Sequence, residues 1–335
     1  MPAVRVSDED RVDALFVGTV FLDIVLSGLD AQPHPGEETW ATRRAVSPGG
    51  MANNAVGAAR LGMRTALVTA VGTDPCGDLV WGDLSREDRL DLSWSRRVPS
   101  VETALTVAIS DADDRSLISH GKLDPVPVEA LVTTLPRAGA CFFSLRDDPV
   151  DWVAPQRRAG ALIFAGVGWE GRLGWPSEAD PRLADVDAVV VNESEALACT
   201  GAANVRDALH RIGERVPLAV ITLGAQGALA LDSGASLEVT AAPVRVEVRD
   251  TTGAGDEFVA GLMHGTLAGL PLADRLRYAN LCAALSVRGW GGAASAPTIR
   301  AIADWHHSPE EKPTGYGFLG DFLDSRRAAA TGQLH

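Results

Sequence analysis

The chain has 335 residues and a formal net charge of −14, with 46% hydrophobic and 22% charged residues. A chain of that size buries a large core without metals or disulfides, and its charge repels nucleic acid and anionic membrane surfaces, so neither is expected as a partner. Cys76, Cys141, Cys199 and Cys282 are widely spaced and form no C-x-x-C pair, which argues against a zinc site or a disulfide framework and fits a reducing cytoplasm. The polar, acidic start MPAVRVSDEDRVD does not read as a secretory leader, and no run of about 18 apolar residues marks a membrane span.

Taken in chain order, short apolar β-rich runs alternate with Ala/Leu/Arg-rich segments. The runs are Ala14–Val17, Ala66–Val71, Ala140–Phe143, Ala161–Phe164, Ala188–Val191 and Leu218–Leu223. The helical segments are Met51–Leu61, Gly77–Arg89, Ala196–Thr200, Val205–Arg215, Gly255–Ala268 and Ala273–Val287. This alternation predicts an α/β fold with a doubly wound, mostly parallel sheet and helices on both faces. Ile24–Val46 and Val98–Ile118 break the pattern. Thr103–Ser110, the turn-like Asp111–Arg115 and Ser116–Ser119 read as a hairpin. A small β lid built from residues 24–46 and 98–119 is therefore expected, inserted in a single domain over residues 12–302. Residues 303–335 read as a polar tail with a helix over Phe318–Arg327.

The chemical centre is Asp250-Thr251-Thr252-Gly253-Ala254-Gly255-Asp256, which lies between the strand-like Val244–Val248 and a helix. Unpaired N–H groups at a helix start bind anions, and the helix dipole reinforces them. Gly253, Ala254 and Gly255 leave that backbone open to a phosphate. An aspartate here repels a phosphate, so Asp256 suits a general base that deprotonates a hydroxyl during phosphoryl transfer. Taken alone, the segment also reads as a tight turn capped by Asp256.

Asp250–Asp256 resembles the DTxGAGD signature of the ribokinase/PfkB carbohydrate kinases. That resemblance implies an ATP-dependent kinase for a small sugar-like alcohol, with Asp256 as base, the Gly253–Asp256 amides as anion hole and Asp250 near a monovalent cation. Thr252 and Ser295 are the further candidates for that K+ site. Other segments resemble the family as well. Pro48–Gly62 (PGGMANNAVGAARLG) is similar to its N-terminal signature, which implies that Gly49 and Gly50 let the substrate approach the backbone. An asparagine there binds substrate hydroxyls. The copy is one residue short, so Asn53 or Asn54 takes that role; counting back from Arg60-Leu61-Gly62 favours Asn53, and a helix cap is the other reading. Val71–Asp78 matches a structural turn of the family. Asp23, at the expected end of the first strand, sits where the family places a substrate-binding aspartate. Asn192-Glu193-Ser194-Glu195 matches N-x-x-E, implying Asn192 near the nucleotide phosphates and Glu195 orienting Mg²⁺ through water. Thr222, Gly224 and Gly227 match the nucleotide loop, and Asn280 a position near the adenine.

Some residues depart from the family. Arg146 stands where an acidic residue is common; facing the cleft it would suit an anionic substrate, and exposed it would pair with Asp147 or Asp148. Ala165, Val167 and Trp169 replace D-x-N-x-R. Gly166–Gly171 fits G-x-G-x-x-G, but Pro176 and Pro181 make poor helix material after it, against a dinucleotide site. No Walker A or protein-kinase motif is present. A nucleoside kinase remains an alternative, since Trp40, Phe21 and Trp169 can stack on a base or simply pack. A non-catalytic binding protein is the other, opposed by the presence of both Asp256 and Glu195. A homodimer joined through the lid is also expected.

Overall fold

The computed structural model describes residues 4–29, 34–110, 115–121, 126–145, 151–167, 183–309 and 312–332. Its main sheet contains β1 (Arg5–Val17), β4 (Thr65–Val68), β6 (Leu90–Asp91), β10 (Thr134–Ser144), β11 (Leu162–Gly166), β12 (Ala188–Asn192), β13 (Leu218–Thr222), β14 (Ala228–Asp232) and β15 (Leu237–Ala241). The order is β15-β14-β13-β12-β11-β10-β1-β4-β6. Neighbours from β6 to β13 are parallel, and β14 and β15 close one edge antiparallel.

The uniformly apolar strands follow from burial on both faces. Successive side chains point to opposite sides, so Phe16, Leu67, Phe142, Phe164, Val190 and Val220 join one core. Their neighbours Leu15, Ala66, Cys141, Ile163, Val189 and Ala219 join the other. The first core is covered by α1 (Met51–Arg60), α2 (Pro75–Leu84), α7 (Ala254–Leu267) and α8 (Leu272–Ser286). The second is covered by α3 (Val128–Leu131), α4 (Val153–Arg158), α5 (Glu193–Thr200) and α6 (Val205–Gly213). Asp74 caps α2 by accepting from the Gly77 amide at 2.7 Å and binds the Thr103 amide at 2.8 Å with its other oxygen.

A separate four-stranded sheet is the lid. Its strands β2 (Val20–Ser27), β3 (Arg43–Gly50), β8 (Ala104–Ser110) and β9 (Arg115–His120) run in the order β3-β2-β8-β9. The expected hairpin is the antiparallel pair β8/β9. A short pair, β5 (Ala70–Val71) and β7 (Arg96–Arg97), lies outside both sheets.

Three boundaries differ from the sequence reading. The lid takes in residues 20–23 and 47–50, so Asp23, Gly49 and Gly50 are lid residues, whereas the first strand ends at Val17. That strand begins at Arg5, upstream of residue 12, because backbone pairing of Arg5 and Val6 with Thr134 and Leu135 needs no apolar side chains. The polar-looking C-terminal segment is integral to the body. Ile302 and Trp305 of α9 (Ile299–His307), Tyr316, and Leu319, Phe322 and Leu323 of α10 (Phe318–Gly332) all lie in the first core. Phe322 packs edge-on against Tyr278 and His264, whose Nδ1 meets the Tyr278 hydroxyl at 3.0 Å. Removing a buried aromatic of this kind costs about 3 kcal/mol. Phe322→Ala should lower the unfolding free energy by that amount, read as a lower urea midpoint at unchanged slope, and a midpoint equal to wild type would show α10 to be dispensable.

Candidate active site

The carboxyl ends of β1, β4, β10, β11, β12 and β13 share one edge of the sheet, where open α/β sheets bind their ligands. Two sequence motifs 203 positions apart meet there. The Asn53 side-chain amide donates to Asp256 Oδ2 at 2.9 Å, and the Asn54 amide donates to the Asp256 carbonyl at 3.2 Å. Both asparagines are buried in the first turn of α1. Both hold Asp256, one by its carboxylate and one by its backbone. Asn53 Oδ1 is buried without a protein partner.

Asp256 lies in the first turn of α7, which no side chain caps. Gly253 begins this turn at φ 76°, a left-handed conformation suited to glycine, and its Cα side packs so tightly on Gly292 that a methyl would come within 2.8 Å of the Gly292 Cα. Ala254 follows it as the first helical residue. Gly255 borders open space and leaves the helix start accessible. Asp250 organises the loop from below: its two oxygens accept from the Thr252 amide at 2.9 Å and the Gly291 amide at 2.8 Å. Ser295 Oγ donates to the Gly291 carbonyl at 2.5 Å. The Asp250 and Ser295 oxygens retain further lone pairs, a donor chemistry that a monovalent cation accepts.

Asp23 is buried on β2, and Gly49 is required beside it, because any side chain there would collide with its carboxylate. Gly50 packs beneath the Phe21 ring. Burial, then the charges of Asp256 and Asp250, push Asp23 up to about 7. Burial raises Asp256 to about 6; Asn53 opposes the rise, Glu195 adds to it, and Asn54 again opposes it. The charges of Asp256 and Asp250 thus act on Asp23, and that of Glu195 acts on Asp256.

Asn192 and Glu195 form a capping box at the start of α5: each side chain accepts from the other's backbone N–H at 2.9 Å. Burial raises the Glu195 pKa. Among the described residues no cluster of three metal-ligating side chains occurs. Thr222 pairs in register with Asn192, and Gly224 borders open space in the turn that ends at Gly227 against Ala241. Asn280 lies on α8. Its buried amide donates to the Ala241 and Ala242 carbonyls at 3.1 and 3.0 Å, tying the end of β15 to α8. Arg146 and Trp169 lie outside the described residues.

A match to a family model decides the relationship. The pfkB family carbohydrate kinase model covers residues 15–156 and 174–299. The chain belongs to this family. A fructokinase of Klebsiella pneumoniae is 30% identical over 276 residues, covering 75% of this chain and 89% of that protein. A structure of Arabidopsis thaliana ribokinase complexed with ribose and ATP superimposes with a TM-score of 0.72 at 23% identity, covering 89% of this chain and 99% of that one. A Burkholderia thailandensis nucleoside kinase in complex with inosine gives 0.72 at 21% identity, covering 90% and 99%. The protein is a carbohydrate kinase of ribokinase-like fold, and no helix among the described residues is long and apolar enough to cross a membrane.

One residue of this pfkB-family kinase escaped the sequence reading. Glu257, next to Asp256, is fully buried, and neither of its oxygens has a partner. It projects into a hole in α1 at Gly57, which has no room for a side chain. A glycine inside a helix was the available signal. Burial, then the Asp256 charge, hold Glu257 well above the usual carboxylate range against the opposing pull of Arg60. The folded state therefore keeps the proton where the unfolded chain loses it, so wild-type stability falls as pH rises through the unfolded value. Glu257→Gln should be the more stable protein at neutral pH, with an advantage that grows by about 1.4 kcal/mol per pH unit above pH 4.5. Urea midpoints at pH 5 and pH 7.5 measure it; an advantage that does not grow means that Glu257 is ionised in the folded protein.

Proposed function

We propose that this enzyme transfers the γ-phosphoryl group of ATP to a hydroxyl of a small, neutral sugar or sugar derivative, with Asp256 as general base. The observation that carries this reading is the hydrogen bond from Asn53 to Asp256 at the mouth of an uncapped, glycine-lined helix start. A base needs to be ionised and oriented before the hydroxyl arrives, and the Asn53 amide serves both ends.

In this reading Asp23 accepts hydrogen bonds from acceptor hydroxyls, and the backbone at Gly49 and Gly50 lets the sugar come close. Asp256 Oδ takes the proton of the attacking hydroxyl. The Gly253–Asp256 backbone faces the oxygens of the transferring group, where its N–H dipoles meet the developing charge. Asn192, Thr222, Gly224 and Gly227 flank the nucleotide, and Asn280 supports that pocket by fixing Ala241 and Ala242. Glu195 would hold Mg²⁺ through water, and the ion would supply charge neutralisation on the phosphates. A K+ ion on the Asp250 side would stiffen the anion hole from behind. The fold does not choose between sugar and nucleoside, since ribokinase and nucleoside kinase structures superimpose equally well. The intact network around Asp256 argues against a non-catalytic regulator.

ADP release from ATP and Mg²⁺ across pentoses, hexoses and nucleosides tests the assignment. Asp256→Asn should lower kcat by about 10³-fold with nucleotide binding retained; undiminished turnover would reject Asp256 as base. The pH profile is a separate check. Wild-type kcat/KM should fall as pH drops below about 7 and through about 6, the values at which Asp23 and Asp256 take up protons. Asn53→Ala removes a bond to the charged form of Asp256 and should move the acid limb to higher pH. A limb that stays in place would mean that Asn53 does not tune the base.

A further inference from the structure

The lid carries a polar row of which the reaction described so far uses only Asp23. Ser47 on β3 is the cross-strand partner of Asp23 on β2, Asp23 is aligned with Thr106 on β8, and Thr106 with Ser119 on β9. Aligned partners put their side chains on one face of a sheet. The row on one side is Ala45–Val25–Ala108–Leu117, and on the other Gly49–Phe21–Ala104. Four polar side chains thus cross the whole lid between small and apolar rows.

This face looks toward the catalytic loop. Asp23 feels the charges of Asp256 and Asp250, and Gly291 packs close to Ser47 and Ala45. The Ser47 hydroxyl is buried, Thr106 is half-buried and Ser119 is exposed, so the row opens outward from the active site. Thr106 Oγ1 and Ser119 Oγ lie 3.0 Å apart. Two hydroxyls that share one hydrogen bond keep a second donor hydrogen and spare lone pairs for a ligand. Strands lie about 4.8 Å apart, so Ser119 stands roughly 10 Å from Asp23, beyond the reach of a single sugar ring held at that aspartate.

We propose that Thr106 and Ser119 are specificity residues that read the far part of the acceptor, so that the sugar held at Asp23 carries a second, neutral, hydrogen-bonding unit. The inference rests on Asp23 as an acceptor ligand. Hydroxyls beyond Asp23 recognise polar, uncharged groups. The second unit is then either another sugar or the polar edge of a base, and both present such groups one to two strand spacings from the first ring.

The test compares kcat/KM of the full-length enzyme for ribose and fructose with that for nucleosides (inosine, adenosine) and for disaccharides. Wild type should favour one two-ring class over the bare sugars by at least about tenfold, and which class responds identifies the second unit. Thr106→Val and Ser119→Ala should each reduce that preference ratio about tenfold through KM, the effect of one lost hydrogen bond. Thr106→Ser, which keeps the hydroxyl, should retain the ratio. A preference for bare sugars, or a ratio unmoved in Thr106→Val, overturns the proposal and leaves the hairpin pair as a purely structural contact. Asp23→Asn separates the two levels: loss of activity on every acceptor sustains the underlying reading, and full activity sinks both.

Discussion

The molecule turns on the contact between α1 and α7, where the Asn53 amide meets the Asp256 carboxylate. A charged group at a half-buried position is unfavourable unless something donates to it. Asn53 supplies that bond, Asn54 fixes the backbone behind it, and Arg60 at the other end of α1 ties the helix to the Ala294 and Ala296 carbonyls. The loop that carries Gly292 is thus held against Gly253 by the same helix that orients Asp256. Asp256, the start of α7 and the Gly292 loop are assembled as one unit, with α1 as its spine.

Around this unit the electrostatics are deliberately unbalanced. Asp23, Asp250, Asp256 and Glu195 converge with no basic side chain among the hydrogen-bond partners described for them. Asp250 accepts from two amides, and Glu195 accepts from the Asn192 amide at the start of α5. Burial leaves Asp23, Asp256 and Glu195 with raised proton affinity.

Much of this was legible in the chain. The apolar runs show both sheet faces covered, and Asp250–Asp256 and Pro48–Gly62 mark the two halves of the site. What stayed hidden had physical causes. Arg5, Val6 and Arg11 pair through their backbone, while Ser7 and Asp10 in the irregularity between them bond each other in solvent, so no hydrophobic pattern betrays a strand. Trp305, Tyr316 and Phe322 are scattered among polar residues and become a core only when α9 and α10 fold back. The partnership of Asn53 with Asp256 spans the chain and has no local signature. Asp23 was assigned to the first strand because Gly18 and Thr19 are a small interruption; in the fold they separate the body from the lid.

Gly57 and Glu257 form a lock and its key. A carboxylate-bearing side chain at 257 fits only where position 57 has no side chain, whereas a glycine at 57 is tolerable with any smaller residue at 257. An ancestral chain could therefore have acquired the two in one order alone, glycine first. Once both were present, Gly57 could not revert before Glu257 without a clash inside the helix pair that holds Asp256. The two positions should accordingly be inherited together, a historical constraint written into the packing of α1 on α7.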